Sequence, residues 1–220
     1  MMKKKALVVF SGGQDSTTCL QLALKKFKNV FALSFDYGQR HKQELLQAKK
    51  IARKLKIPHE IIKIDLFSNL SNNALTQHRV KIDAGNKKKL PSTFVPGRNL
   101  IFLSIAAMKA YQLGVSDIVT GVCQTDYSGY PDCRDEFIRS LETTLHLGLQ
   151  KKIKIHTPLM WLTKAETVKL MQQLGGLELL KLSHTCYEGR RPACGKCPAC
   201  LLRLKGFREA GIMDPLKYTS

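Results

Sequence analysis

The first 66 residues alternate between short apolar runs and segments whose apolar side chains recur at helical spacing. Residues 5–10, 30–36 and 59–66 are apolar runs of strand length. Between them, residues 17–27 and 41–57 repeat apolar side chains every three or four positions, as one buried face of a helix requires. This β-α-β-α-β order predicts an α/β fold, with a parallel sheet flanked by helices.

The pattern fades between residues 68 and 96 and then returns. Segment 83–93 has no apolar period, which predicts a mobile loop. Further along, the pattern predicts helices at 99–114, 135–147 and 164–175, and strands at 115–122 and 153–159.

Length and composition fit one domain with at most a small appendage. The chain has 220 residues, of which 44% are hydrophobic, enough for a sizeable core. No apolar stretch reaches the roughly eighteen residues of a membrane span. The first apolar run stops at Ser11-Gly12-Gly13, too early for a secretory signal. We therefore expect a cytoplasmic protein that does not contact a membrane.

The net charge of +19 does not by itself identify a partner. Nucleic acid, small anionic ligands and a lysine-rich proteome would each account for it. The lysines are dispersed over predicted helix surfaces and turns, which favours solvated faces over a nucleic-acid-binding surface.

Residues 11–16, Ser-Gly-Gly-Gln-Asp-Ser, lie between the first strand and the first helix. Glycines let backbone N–H groups approach an anion, and a helix N-terminus adds partial positive charge. The alternative is a tight turn in which Asp15 or Ser16 is only a helix N-cap. The lysine of the P-loop and the Gly-x-Gly of the dinucleotide turn are both missing. A cradle of amides and hydroxyls suits pyrophosphate, and Asp15 would contact it through Mg²⁺.

Ser-Gly-Gly-x-Asp-Ser after a first strand resembles the PP-loop of the N-type ATP pyrophosphatases. The resemblance implies a Rossmann-like (adenine nucleotide alpha hydrolase-like) fold and ATP cleavage between the α- and β-phosphates. It implies an ATP site over Phe10–Leu20, namely Phe10, Ser11, Gly12, Gly13, Gln14, Asp15, Ser16, Thr17, Thr18, Cys19 and Leu20.

Four of the seven cysteines, Cys186, Cys194, Cys197 and Cys200, form a C-x₇-C-x₂-C-x₂-C pattern. Such spacing in a reducing compartment predicts one structural, tetrahedral Zn²⁺ per subunit. An iron–sulfur cluster or ordinary buried thiols are the alternatives, although the spacing differs from the ferredoxin pattern. We expect residues 1–183 to form the nucleotide-binding domain and 184–220 a zinc-binding segment packed on it.

Four further stretches, 35–44, 94–99, 121–137 and 156–167, complete a resemblance to the QueC family, the 7-cyano-7-deazaguanine (preQ0) synthases. With the loop and the cysteines it runs from about Lys5 to Arg208. It implies a C–N ligase that uses 7-carboxy-7-deazaguanine, ammonia and Mg-ATP as substrates in queuosine biosynthesis. The resemblance also suggests a homodimer.

Roles for further residues are hypotheses. Arg98 would meet a phosphate or the substrate carboxylate; a surface ion pair is its alternative. Arg40 and His41 follow the second strand, at the sheet edge where ligands gather, or they begin a solvated helix. Within 121–137, which also contains Arg134, we expect a carboxylate and an aromatic ring to read the deazapurine. The candidates are Asp126 or Asp132 for the carboxylate, and Tyr127 or Tyr130 for the ring.

Two rival functions stay open on the residues alone. A tRNA-modifying PP-loop enzyme would use the positive charge on RNA phosphates. It would need an RNA-binding extension or a catalytic cysteine pair, and neither is evident in the sequence. A non-catalytic zinc-ribbon module would leave the glycine turn unexplained. We therefore expect small-molecule substrates and no direct nucleic-acid partner.

Overall fold

The computed structural model describes residues 4–40, 42–67, 73–77, 79–83, 90–125 and 129–219. Within these residues, five parallel strands form one sheet in the order β3-β2-β1-β4-β5. The strands are β1 (Lys5–Val9), β2 (Asn29–Asp36), β3 (His59–Lys63), β4 (Asp117–Val119) and β5 (Lys154–His156).

Helices connect and cover these strands. They are α1 (Gln14–Lys26), α2 (Gln43–Leu55), α3 (Arg98–Gln112), α4 (Asp135–Leu149), α5 (Lys164–Gln173), the short α6 (Leu177–Leu180) and α7 (Pro198–Ala210). A 3₁₀ turn at Pro131–Cys133 precedes α4.

Alternate residues of the central strand face opposite helical layers. Ala6 and Val8 pack into a core with α1 and α2, through side chains such as Leu20 and Ala48. Leu7 packs into a second core with α3 and α4. Because both faces of the sheet are covered, β1 is a continuous apolar run instead of an alternating one.

The C-terminal part packs on the first of these layers. Helix α5 contacts both α1 and α7, and Met171 of α5 shares an apolar cluster with Phe207 of α7. The segment that holds the cysteines leads directly into α7.

The strand order reverses between β1 and β4. From β1 the chain moves outward to β2 and β3, and then returns to the other side of β1 to add β4 and β5. In open α/β sheets, ligands bind outside the carboxyl ends of the strands at this switch point. The loop at residues 11–16 follows the carboxyl end of β1 and therefore lies there.

The predicted α/β class, parallel sheet and flanking helices are confirmed. Several ends differ: α1 begins at Gln14, three residues earlier than predicted, and β4 and β5 are shorter than the predicted strands. Parts of segment 68–96 and of 121–137, together with His41, lie outside the described residues. In the described part of the chain, no helix is long and apolar enough to cross a membrane.

Candidate active site

The loop between β1 and α1 is shaped by Gly12. Its backbone has φ +83°, a left-handed conformation that glycine adopts without strain. A Cβ there would also lie 2.6 Å from the Glu44 carbonyl oxygen and 2.8 Å from the Ala48 nitrogen. Gly12 therefore allows the loop both to turn and to lie directly against the first turns of α2.

The N-terminus of α1 is left open to an anion. Gly13 is its N-cap, and among the described residues no side chain caps it. The alternative in which Asp15 or Ser16 is the N-cap therefore does not hold. Unsatisfied N–H groups at a helix start, with their partial positive charge, are what a phosphate group requires.

Hydroxyl groups brace the loop from inside. The Ser11 and Ser16 Oγ atoms lie 3.0 Å apart, and Ser16 Oγ accepts from the Ser11 N–H. Thr17 and Thr18 are fully buried, and their hydroxyls donate to the Gly13 and Gln14 carbonyls. Of these hydroxyls, those of Ser11 and Ser16 line the cavity.

Gln14 is buried and 4% exposed. Neither its Oε1 nor its Nε2 has a hydrogen-bond partner among the described residues. A buried amide without a partner is costly, so this side chain, which lines the cavity, has hydrogen-bonding capacity that a ligand or water can use.

Asp15 meets a lysine that the sequence patterns did not single out. Lys164, the first residue of α5, donates from Nζ to both Asp15 carboxylate oxygens, at 3.0 and 2.8 Å. The Lys164 side chain is 10% exposed and also lines the cavity. The cation missing from the local motif thus comes from 149 residues further along the chain, a distance that no local spacing rule covers.

A cavity of about 320 Å³ opens above the switch point. The loop after β1 forms one wall, and the ends of β2 and β4 contribute Tyr37 and Gly121. Other walls come from the start of α3 and from the segment that follows α6. Loop, sheet edge and C-terminal segment therefore enclose one site.

Arg98 and Tyr130, two of the predicted substrate residues, meet in this cavity. The Arg98 guanidinium carbon lies 5.8 Å from the centroid of the Tyr130 ring. The Tyr130 hydroxyl is 2.6 Å from Thr93 Oγ1, which fixes the ring. Arg98 also hydrogen-bonds Tyr37, whose pKa is raised to about 12 by burial. This corner combines a fixed cation with aromatic rings.

Three other predicted residues lie outside the cavity lining. Arg40 donates to the backbone carbonyls of Ala74 and Val80. Asp132 is buried and accepts from the Asn99 N–H through Oδ2 at 3.0 Å, at the start of α3. Arg134 precedes α4 and lies 3.6 Å from Glu136. His41, Asp126 and Tyr127 lie outside the described residues.

Glu44 lines the cavity although the sequence patterns gave no reason to select it. Its pKa is raised from 4.5 to about 7 by burial, which the positive charge of Arg98 partly opposes. Cys133 also lines the cavity. Burial and the Asp132 charge raise its pKa to about 12, so it is not poised as a nucleophile.

The four predicted metal ligands do come together. The sulfur atoms of Cys186, Cys194, Cys197 and Cys200 all lie within 4.8 Å of one another and are buried. The Cys197 N–H donates to Cys194 Sγ, and Gly195 between them has φ +70°. Hydrogen bonds, chiefly from Cys197, lower the pKa of Cys186. The donor set fits a closed tetrahedral metal site.

This cysteine centre is joined to the loop after β1 by hydrogen bonds of His184. The His184 N–H donates to the Gly12 carbonyl at 2.9 Å. The His184 ring lies 3.0 Å from the carbonyl of Cys186, a cluster member. Thr185 and Tyr187 line the cavity. The centre therefore supports one wall of the cavity.

Sequence comparison agrees with this arrangement. The family described as "Queuosine biosynthesis protein QueC" matches residues 5–211. A protein of Laribacter hongkongensis is 55% identical over 213 residues, 96% of this chain and 93% of its own length. One of Bacillus subtilis is 54% identical over 215 residues, covering 97% and 98%. Both are named 7-cyano-7-deazaguanine synthase.

Solved structures share the fold at low identity. A predicted subunit of tRNA methyltransferase from Methanocaldococcus jannaschii has TM-score 0.51 and 21% identity, covering 77% of this chain and 76% of that one. A 4-thiouridine synthetase in an RNA complex with bound ATP has TM-score 0.51 and 16% identity, covering 94% and 50%. With fold, loop, cysteines and sequence in agreement, the chain belongs to the QueC family of queuosine biosynthesis proteins.

Proposed function

We propose that this chain is a C–N ligase that converts 7-carboxy-7-deazaguanine and ammonia to 7-cyano-7-deazaguanine at the expense of ATP. Identity above 50% over nearly the whole length of relatives with this activity in their names carries the proposal. The cavity supports it because the loop after β1 and the Arg98–Tyr130 corner line the same space.

Two rounds of adenylylation account for the chemistry. In the first, a substrate carboxylate oxygen attacks the α-phosphorus of ATP and pyrophosphate leaves. Ammonia then attacks the carboxyl carbon, AMP departs with the C–O electron pair, and nitrogen loses a proton to give the amide. In the second, the amide oxygen attacks the α-phosphorus of a second ATP and another pyrophosphate leaves. Loss of AMP and two N–H protons leaves the nitrile.

The loop residues hold and orient the phosphates in both rounds. The open N-terminus of α1 and the Ser11 and Ser16 hydroxyls suit the departing pyrophosphate. Lys164 supplies positive charge beside Asp15. Asp15 would also hold Mg²⁺, because each carboxylate oxygen has a second lone pair beyond the Lys164 bond. When bound, Mg²⁺ neutralises charge on the phosphates.

We propose Zn²⁺ as the occupant of the cysteine centre, with a structural role. Four thiolates fill a tetrahedral shell and leave no open position for catalysis. None of the seven cysteines forms a disulfide in the described residues. A reducing compartment keeps thiols in that form, which supports the cytoplasm as the place where the enzyme works.

The expected homodimer has support in the outer face of α3. Leu100, Met108 and Tyr111 lie on that face and are 44%, 56% and 54% exposed. Apolar side chains repeated along an exposed helix face are typical of a protein interface. Light scattering of the wild type should give a molar mass of about twice the 24.8 kDa of one chain. Met108→Lys should lower this measured mass. A monomeric wild type would reject the dimer.

The test of the activity is a reaction without RNA. The purified protein is incubated with 7-carboxy-7-deazaguanine, ammonium and Mg-ATP, and nitrile, AMP and pyrophosphate are measured. All three should form in the wild type. Asp15→Ala should lose at least about 100-fold in turnover, the order expected for removing a charge that orients phosphates. Asp65→Ala, at an exposed surface ion pair, should behave as the wild type.

Three results would contradict the proposal. ADP as the only nucleotide product would exclude cleavage between the α- and β-phosphates. Dependence on added tRNA would favour a tRNA-modifying enzyme. Full nitrile formation by Asp15→Ala would remove the loop from the mechanism.

A further inference from the structure

The charged side chains that line the cavity divide into those already paired and those still available. Asp15 is held by Lys164, and Arg203 by the carboxylate of Asp214, with both bonds at 2.8 Å. Among the described lining residues, the remaining charged side chains are Glu44 and Arg98. They belong to the first turns of α2 and α3.

Glu44 has a fixed backbone and a carboxylate without a partner. Its carbonyl oxygen lies against Gly12, in the space where a side chain on that residue would be. The start of α2 is therefore held at a set distance from the phosphate loop. Within the described residues, the influences on the Glu44 carboxylate are burial and the charge of Arg98, and no hydrogen bond contributes.

The electrostatic surroundings disfavour the charged form of the Glu44 carboxyl group. Burial raises the pKa of Glu44 to about 7. The groups that interact with it are Arg98 of α3, Tyr37 after β2 and Tyr187 of the C-terminal segment. Neither tyrosine adds positive charge. A ligand that brings N–H donors would supply what the carboxylate lacks.

The Watson–Crick edge of a guanine-type ring matches this pair. It presents two adjacent donors, N1–H and the 2-amino group, next to the acceptor O6. A carboxylate can accept from both donors at once, and a guanidinium can donate to the acceptor. Asp132, the described carboxylate from the stretch expected to read the ring, is already bonded to the Asn99 N–H.

We propose that Glu44 reads the deazapurine by accepting hydrogen bonds from its N1–H and 2-amino groups, while Arg98 donates to the ring carbonyl oxygen. This inference rests on the proposed function, since it assumes a 7-deazaguanine substrate. Glu44 becomes a specificity-determining residue, with no part in the bonds that form and break.

The test compares two substrates with two enzymes. The substrates are 7-carboxy-7-deazaguanine and its analogue without the 2-amino group; the readout is kcat/KM from AMP release. We expect the wild type to prefer the 2-amino substrate by about 10- to 100-fold, as for loss of one hydrogen bond to a charged group. Glu44→Gln should lower kcat/KM for the natural substrate, mainly by raising KM. It should also reduce the preference for the 2-amino substrate to within about threefold.

Glu178→Gln is the matched control, because Glu178 is an exposed glutamate outside the cavity lining. It should keep the wild-type preference. Glu44→Gln keeps the size of the side chain, and a thermal melt checks its folding. Glu44→Asp keeps the negative charge on a side chain that is shorter by one methylene group. It should retain part of the preference, and it is the second variant if Glu44→Gln does not fold.

The outcomes separate this inference from the function it rests on. If the wild type makes no nitrile from the acid, the proposed function fails. If it does, and Glu44→Gln slows both substrates equally, Glu44 does not read the 2-amino group and the inference is wrong. A wild type that does not distinguish the two substrates would overturn it as well.

Discussion

At the scale of single residues, Gly12 is the position in the loop after β1 where a side chain would be poorly tolerated. A side chain there meets two separate obstacles: a left-handed backbone and the backbone of α2 at 2.6 Å. The second obstacle is a carbonyl oxygen and cannot rotate away. The loop and α2 would have to separate, and the loop would change shape.

We therefore predict that Gly12→Ala lowers the free energy of unfolding by at least about 2 kcal/mol, combining backbone strain with the clash. It should also abolish AMP formation. Urea denaturation and product analysis measure the two effects. Gly114→Ala is the control, because Gly114 has φ +64° but no atom within 4 Å of an added Cβ. It should cost only the strain, about 1 kcal/mol. Equal losses in both variants would contradict the packing argument.

The residues of the site differ in how well the sequence could predict them. The cysteine ligands and the loop were predictable because their spacing is local, so the chain itself brings them together. Lys164 and Glu44 were not predictable, since each reaches the cavity through packing between elements far apart in sequence. Asp132 was a reasonable candidate by type, but its bond to the Asn99 N–H depends on how α3 begins.

At the scale of elements, α7 approaches the cavity through a close contact with α5. A Cβ on Gly206 of α7 would lie 2.5 Å from Lys164 Cγ and 2.9 Å from its Cβ. These atoms are near the backbone of Lys164, so the side chain cannot avoid the clash by swinging its end. Gly206 thus permits the position from which Lys164 reaches Asp15.

Gly206→Ala should therefore raise the KM for ATP several-fold, although alanine is the better helix former by about 1 kcal/mol. Gly148→Ala is the control, because Gly148 of α4 has no atom within 4 Å of an added Cβ. It changes helix propensity alone and should stabilise the protein slightly, with an unchanged KM for ATP. ATP titrations and thermal melts measure both variants. An unchanged KM in Gly206→Ala would show that α7 does not position Lys164.

Element order along the chain was predictable, but the arrangement of the elements was only partly so. Apolar periods identified the strands and the helices from α1 to α5, because burial on one or two faces imposes them. Helix α7 (Pro198–Ala210) was not predicted. The position of β4 beside β1 follows from long-range packing, which a local pattern does not record. The short α6 and the 3₁₀ turn have too few residues to show a period.

At the scale of the whole molecule, hydrogen bonds through His184 join the cysteine centre to the loop after β1 and its cavity. The centre lies beside the start of α7, which contains Cys200. Its other end continues into His184, whose N–H bonds the Gly12 carbonyl. Arg203 of α7 joins Asp214 to the end of α6 through the Leu180 carbonyl. Loss of the metal would thus release both α7 and one cavity wall.

Cys197→Ser should accordingly lose the metal and lower the melting temperature, because metal binding is coupled to folding of the site. ATP affinity, measured by titration without turnover, should fall along with it. Elemental analysis should find about one zinc per wild-type chain, and a chelator should reproduce the effects of the variant. Cys133→Ser changes a cysteine outside the centre and should keep its metal.

A metal site that stabilises only its own segment would leave ATP binding unchanged. The prediction here is that loss of the metal also weakens ATP binding. If Cys197→Ser loses zinc while ATP binds as in the wild type, the hydrogen bonds through His184 do not transmit the order of the centre to the loop. If the wild type contains iron in place of zinc, the structural zinc assignment is wrong. Paired loss of metal and ATP affinity is expected because the Gly12 carbonyl, which accepts from the His184 N–H, lies within the loop proposed to hold the phosphates.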